Sequence, residues 1–344
     1  MQGRAILPFY GSENEMTASA GYESPPNNAV RVLLCAVGTI LVLARAAAVL
    51  GETPAVSSSV ESAPQPAGSS ENAISSRSFS IGPGRTLLLS PITDLYPRYI
   101  ADPRRPGFGI MYMHFPTSQI PSAGADRAEI RIGGTYGLVR VHPDEDPARG
   151  VQLDIMANFI GQFDLDHALD NIGWDGLYGL VFSWGNGDGL ALKLGTFHDS
   201  SHVGDEYAER TGRTRIGYTR EEVVAGISRQ VTKKWRIYAE TGRAYRLSNE
   251  DLQKPWRAQV GMEYESRGNF WGGRMGWYVA TDNSFYQESD WHGSTAAQIG
   301  FVLPFDDIGR RYRFGVEYYR GRSMIGEFFQ DNETYVALGA WLDL

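Results

Sequence analysis

The chain of 344 residues has a single cysteine, Cys35, and it lies in an apolar run near the N-terminus. Everything beyond that run is therefore free of disulfides, thiolate zinc sites and redox pairs. Positive charge is also in short supply. The net charge of −8 argues against a nucleic-acid binder, which needs a basic surface to displace counterions. No apolar run reaches the ~20 residues of a membrane-crossing helix, since the run over residues 32–44 is broken by Arg45. There is also no phosphate-cradling glycine loop beside a helix and no dinucleotide fingerprint.

What is present is glycine (40 residues), aromatic side chains (12 %) and a modest apolar content of 42 %. That mixture suits strands that alternate apolar and polar residues between tight turns. The N-terminal region divides by composition. Residues 1–29 are irregular and polar, and Met16 is an alternative start within them. Residues 30–51 have the layout of a secretory signal peptide, with Arg31 before a short apolar core and small residues at Ala44, Ala46 and Ala48. Leu34 before Cys35 is too large for a lipoprotein signal. Residues 52–84 are rich in Ser, Pro and Ala and bury too little to offset their ordering entropy, which predicts a flexible linker.

From residue 85 to 344 the dominant signal is strict alternation. Val151, Leu153, Ile155, Ala157, Phe159 and Phe163 share one face, opposite Gln152, Asp154, Asn158 and Gln162. Trp256, Ala258, Val260, Met262 and Tyr264 oppose Arg257, Gln259, Glu263 and Glu265 in the same way. A helix would scatter these sets around its surface, so period two prevails. About twelve such segments follow one another, near 107–116, 128–141, 151–164, 173–184, 189–202, 215–229, 235–247, 255–266, 271–282, 292–303, 311–321 and 333–343. Each is long enough to cross a bilayer as a tilted strand of roughly 9–11 residues. Short turns such as GNGDG alternate with longer polar loops such as SSHVGDEYAERTGRT. The reading is all-β: a closed antiparallel transmembrane β-barrel of about 12 strands, in the outer membrane of a Gram-negative-type bacterium. Its partners are then the outer-membrane lipids and, during biogenesis, the barrel-assembly machinery, to which the chain offers Leu344 rather than a terminal aromatic residue. About twelve strands leave limited room, so the inward charges Asp154, Arg257, Glu263, Glu265 and Glu317 point to a mostly filled lumen rather than an open diffusion pore.

Four motifs stand out: LYPRYIADPRRPGF (95–108), QFDLD (162–166), FHDSSHVGDE (197–206) and YTREE (218–222). In this order they resemble domain-of-unknown-function family 1207, a set of bacterial outer-membrane proteins without an assigned activity. The resemblance spans residues 85–344 and implies location and architecture, not a reaction.

The third motif carries the candidate chemistry. Leu190, Leu192 and Leu194 share a face that continues through Thr196, His198, Ser200 and His202, while Lys193, Asp199 and Ser201 point the other way. His198 and Ser200 at i and i+2 then lie together on the lipid side, with Cα atoms roughly 6–7 Å apart. His198 can serve as general base for Ser200, with Glu206 or Glu221 to orient it. The pair is similar to the His-x-Ser of outer-membrane phospholipase A and lipid A deacylase, which implies an outer-leaflet lipid acyl hydrolase as the alternative function. No nearby asparagine continues that pattern. As a metal pair, His198 and His202 are unsuited, since i, i+4 on a strand separates them by about 13 Å. The plainer expectation is a structural polar cluster of His198, Asp199, Ser200, Ser201, His202, Gly204, Asp205, Glu206, Arg220 and Glu221, in a non-catalytic barrel that is structural or binds or passes small or lipidic molecules. No cofactor is expected. Asp164 and Asp166, with Asp170 and Asp175 nearby, are weak candidates for a hard cation such as Ca²⁺ against the simpler reading of a solvated acidic loop.

Overall fold

The computed structural model describes residues 77–343 apart from 267, 269 and 305–310. The stretches read above as an N-terminal extension, a signal peptide and, up to residue 76, a linker lie outside the described residues. Among the described residues, fourteen antiparallel strands form one sheet: β1 (Arg77–Gly82), β2 (Arg85–Leu89), β3 (Phe108–Ser118), β4 (Asp126–Pro143), β5 (Arg149–Asp164), β6 (Asp170–Asn186), β7 (Leu190–Val203), β8 (Thr219–Gln230), β9 (Trp235–Leu247), β10 (Trp256–Glu265), β11 (Gly276–Tyr286), β12 (Gly293–Pro304), β13 (Arg311–Arg322) and β14 (Asn332–Asp343). Each strand from β3 onward pairs with the next, and β14 pairs back onto β3, so twelve strands close into a barrel. Closure leaves no unpaired strand edge facing lipid. No helix among the described residues is long and apolar enough to cross a membrane. The one α-helix described, α1 (Asp205–Thr211), lies in the loop between β7 and β8.

The structure departs from the sequence reading in two places. Residues 77–84, read as the end of the linker, belong to a hairpin: β1 pairs with β2, and β2 pairs with the far end of β4 from Leu89↔Val139 to Arg85↔Pro143. Gly82 and Gly84 take positive φ around Pro83, so a tight Gly-Pro-Gly turn and local alternation outweigh the composition of the preceding stretch. The strand expected at 271–282 runs instead from Gly276 to Tyr286, because Phe270 and Met275 close a small hydrogen-bonded turn first.

Alternation sorts the side chains as the period demands. Ile155, Leu180, Phe182, Leu192, Leu194, Met262, Ile299, Phe314 and Leu338 are exposed on the outer wall, whereas Asp154, Gln162, Glu240, Glu263, Arg313 and Glu317 are buried inside. An apolar exterior around a charged interior is the inverse of a soluble domain and fits a barrel in lipid. Both ends of the barrel chain and the GNGDG turn lie at one end, which the rule for such barrels places in the periplasm; the loop over 204–218 lies at the other, extracellular end.

The lumen is filled from within the chain. Between β2 and β3, residues 90–107 enter the barrel as a plug. Arg140 and Gln152 Nε2 donate to the carbonyl of Thr93. Arg236 donates to the carbonyls of Pro97 and Arg98. The Tyr99 ring stacks on Tyr238 at 3.6 Å between centroids, and its hydroxyl donates to Glu240 Oε2 over 3.1 Å. The backbone N–H of Ile100 donates to Glu263 Oε1 over 2.6 Å. Arg104 bridges Asp175 (2.5 Å) and Asp199 (2.7 Å), and Arg105 pairs with Asp343. A cavity of about 150 Å³ remains between plug and wall, lined in part by Lys193, Glu240, Arg257 and Asp282. That is space for on the order of ten waters.

Candidate functional site

The four sequence motifs converge on two tasks: seating the plug and closing the extracellular mouth. LYPRYIADPRRPGF is the plug itself. FHDSSHVGDE divides by parity along β7. Its inward Asp199 holds Arg104 of the plug, and its inward Ser201 Oγ accepts the backbone N–H of Glu327 over 2.8 Å. Glu327 sits in the β13–β14 loop, which folds across the mouth and buries Ile325 and Phe328 against Ile120, Ile160, Ile172 and Tyr207. Fully buried itself, its carboxylate accepts the backbone N–H groups of Ile216, Gly217 and Tyr218 at 2.7, 2.7 and 3.1 Å. The loop over 204–218 is thereby tied to the cap by charge-assisted bonds. Gly204 is required for contact rather than for φ, since a Cβ there would lie 1.7 Å from the carbonyl oxygen of Asn171. Asp205 and Glu206 then occupy the first turn of α1, where negative charge suits the exposed N–H groups. Burial raises the pKa of Tyr207 on the same helix, and its hydroxyl donates to the carbonyl of Pro121.

YTREE contributes Arg220, which donates to Glu222 (2.9 Å) and to the carbonyls of Lys254 and Pro255 (2.9 and 2.7 Å). QFDLD ties the other side of the mouth. Asp164 accepts the backbone N–H of Gly124 and lies 3.3 Å from Arg210, and Asp166 accepts the N–H groups of Ala125 and Asp126. The two cation candidates are thus occupied by donors. Asp170 pairs with Arg210 and Asp175 with Arg104. No group of three or more His, Cys, Asp or Glu residues that could hold a metal is found among the described residues.

On the other side of β7, His198 and Ser200 face outward on the leucine face, as alternation requires. The register sets Tyr178 and Glu221 directly opposite His198 on the flanking strands, and Gly176 and Thr219 opposite Ser200. The imidazole stacks on Tyr178 at 4.6 Å, and its Nδ1 lies 2.6 Å from Glu221 Oε1. With a carboxylate as acceptor, Nδ1 carries the proton and Nε2 is left as a base. Of the two carboxylates weighed as partner, Glu206 is not the one. It is exposed on α1, well beyond the end of β7, whereas cross-strand pairing delivers Glu221. His202, one step further out, stacks on Trp174 at 4.1 Å, and its Nδ1 takes a hydrogen bond from Arg215 over 2.6 Å. It shares nothing with His198.

Fold and site together define an outer-membrane β-barrel with an N-terminal plug. The chain belongs to the family described as protein of unknown function DUF1207, whose model matches residues 42–343. Among solved structures it is similar to outer membrane phospholipase A from Escherichia coli, at 13 % identity and a TM-score of 0.48, covering 72 % of this chain and 95 % of that one. It is also similar to the Salmonella typhi outer membrane phospholipase dimer with bound calcium, at 11 % identity and a TM-score of 0.50, covering 73 % and 96 %. The KdgM porin is a more distant likeness, at 10 % identity and a TM-score of 0.35, covering 69 % and 99 %. At such identities the likeness is one of fold. No curated protein matches the sequence.

Proposed function

We propose that this is a non-conducting, non-catalytic outer-membrane barrel, exported through the signal peptide at residues 30–51 of a Gram-negative-type bacterium, whose working surfaces are its lipid-facing wall and capped mouth. The carrying observation is the plug. Wall residues on β4, β5, β6, β7, β9, β10 and β14 hold residues 93–105, and the inward residues of the four motifs serve that plug and its cap. A diffusion pore has no use for such an arrangement. Planar-bilayer recording of the refolded barrel tests it. The expected record is flat, and stable stepwise conductance in the wild-type protein would overturn the reading.

A second reading, acyl-ester hydrolysis in the outer leaflet, draws support from one observation: Glu221 orients His198 on the lipid side, two residues from Ser200. The likeness to the Salmonella typhi outer membrane phospholipase adds a substrate class to that geometry. In such a reaction Nε2 of His198 takes the Ser200 Oγ proton as Oγ attacks the ester carbonyl. The tetrahedral intermediate expels the alcohol, which receives that proton, and water then releases the fatty acid from Ser200. Incubation of the refolded barrel with phospholipid, comparing wild type with Ser200→Ala, His198→Ala and Glu221→Gln, tests it. Acyl release lost in all three variants would displace the non-catalytic reading, and no release with or without calcium would remove the hydrolase.

A further inference from the structure

Two neighbouring arginines on the outer wall, at the extracellular end of β9, have no acidic partner among the described residues. Arg243 and Arg246 on β9 are both exposed, and neither forms an ion pair among the described residues. The cations facing the lumen are treated quite differently: Lys193, Arg104, Arg105, Arg131, Arg236, Arg257 and Arg313 each meet a carboxylate. The orientation of the two free arginines is fixed by register. Arg243 lies opposite the outward Val223, and Arg246 lies opposite the outward Glu221. Between them a bulge projects Tyr245, which is 59 % exposed and has its hydroxyl 3.4 Å from Thr196 Oγ1. Glu221 does not neutralise Arg246, because its carboxylate is turned to His198.

Position explains what such cations are for. Arg246 is one residue from the extracellular end of β9, and Arg243 is four. At about 3.3 Å of rise per residue and a tilt near 40°, Arg243 starts roughly 10 Å below the rim, at headgroup to upper acyl depth. From there a long side chain reaches upward to the interface, and the Arg243 guanidinium lies 5.6 Å from the centroid of Trp256 at the start of β10. Below the pair the wall is apolar through Val223, Leu180, Leu194, Leu192 and Phe182. An acyl surface beneath two rim cations, with Tyr245 and Trp256 beside them, has the polarity profile of an anionic lipid.

We infer that Arg243 and Arg246 form a binding site on the outer wall for the phosphate of an anionic phosphate-bearing lipid, whose acyl chains lie along β6–β8. The inference rests on the lipid-facing wall of the proposed barrel and does not require hydrolysis. Arginine suits the task because its planar fork takes phosphate oxygens in pairs. A zwitterionic lipid presents a second, positive group to the same two cations and is disfavoured.

The test is native mass spectrometry of the full barrel released from nanodiscs of equal parts phosphatidylglycerol and phosphatidylcholine, with wild type, Arg243→Gln/Arg246→Gln, Arg243→Lys/Arg246→Lys and Arg320→Gln compared. Arg320 is an exposed rim cation on β13, four strands round the barrel from the patch. Wild type is expected to retain phosphatidylglycerol over phosphatidylcholine by about tenfold, from two cations each contributing near a membrane surface. The Gln pair should lose the preference, the Lys pair should keep most of it, and Arg320→Gln should match wild type. Equal retention of both lipids by wild type, an undiminished preference in the Gln pair, or an equal loss in Arg320→Gln would overturn the site. So would displacement of bound lipid by millimolar inorganic phosphate, which would mark the patch as a site for the free anion. Heat-modifiable gel mobility separates the two levels of failure: a protein that never folds into the bilayer counts against the barrel, while a folded protein without lipid preference counts against this site alone.

Discussion

The lumen and the outer wall of this barrel handle charge in opposite ways. Inside, arginines and carboxylates are buried in closed sets, such as Arg104 between Asp175 and Asp199, or Arg257 between Glu222 and Glu240. Outside, apolar side chains dominate and charged groups sit toward the rims; at the extracellular one His198 meets Glu221, His114 meets Asp126, and Arg243 and Arg246 meet no acid among the described residues. The same alternation builds both surfaces, so the difference reflects the solvent each one faces. A buried ion must find its partner within the chain, because the lumen offers little water to replace it. A rim ion can take its partner from the membrane surface, and its pairing within the protein is therefore optional.

The largest effect should come from breaking a lumen set. Arg104→Ala leaves Asp175 and Asp199 buried without their cation and should destabilise the barrel by about 3–5 kcal/mol, read from urea unfolding in detergent or bilayer. Adding a charge to the wall should approach that size: Leu180→Arg, near the middle of β6, should cost about 2–4 kcal/mol in a bilayer, and much less in a micelle. Gly204→Ala pushes a methyl into the Asn171 carbonyl and should cost about 1–3 kcal/mol, with faster proteolysis of the loop over 204–218 as the accompanying sign. The smallest effects should come from the rim: Ser200→Ala should stay within about 0.5 kcal/mol, and Glu221→Gln within about 1 kcal/mol, since the Gln side chain can still accept a hydrogen bond from His198 and the pair is partly exposed. If Ser200→Ala proved as damaging as Arg104→Ala, the contrast between wall and lumen would fail.

How much of this was legible in the sequence follows from which residues obey a period. β5 and β10 were visible because six and five apolar side chains recur at every second position, and the position of β7 placed His198 and Ser200 outward before any coordinates. The plug was not visible as a plug. Residues 91–106 carry four prolines and no period, so their composition says only that they are not a strand. One signal was available: the inward faces carry many carboxylates, including Asp154, Asp199, Glu240 and Glu263, and a filled lumen needs cations from somewhere. Arg104 and Arg105 in the LYPRYIADPRRPGF motif were the obvious source. The orienting carboxylate of His198 was also undecided, because a single strand does not state its register. Glu221 became the partner only when β7 and β8 were aligned, and Glu206 was set aside when the chain turned into α1.

The plug is a fixed part of the folded barrel, held by wall residues on seven strands. Amide hydrogen exchange of the refolded protein in lipid, followed by mass spectrometry on peptides covering residues 93–106, tests that directly. The N–H of Ile100 bonded to Glu263, and its neighbours within the closed lumen, should be protected on the timescale of the β-strands themselves. Exchange of the whole segment at the rate of an exposed loop, with the strands still protected, would contradict a seated plug and with it the non-conducting barrel.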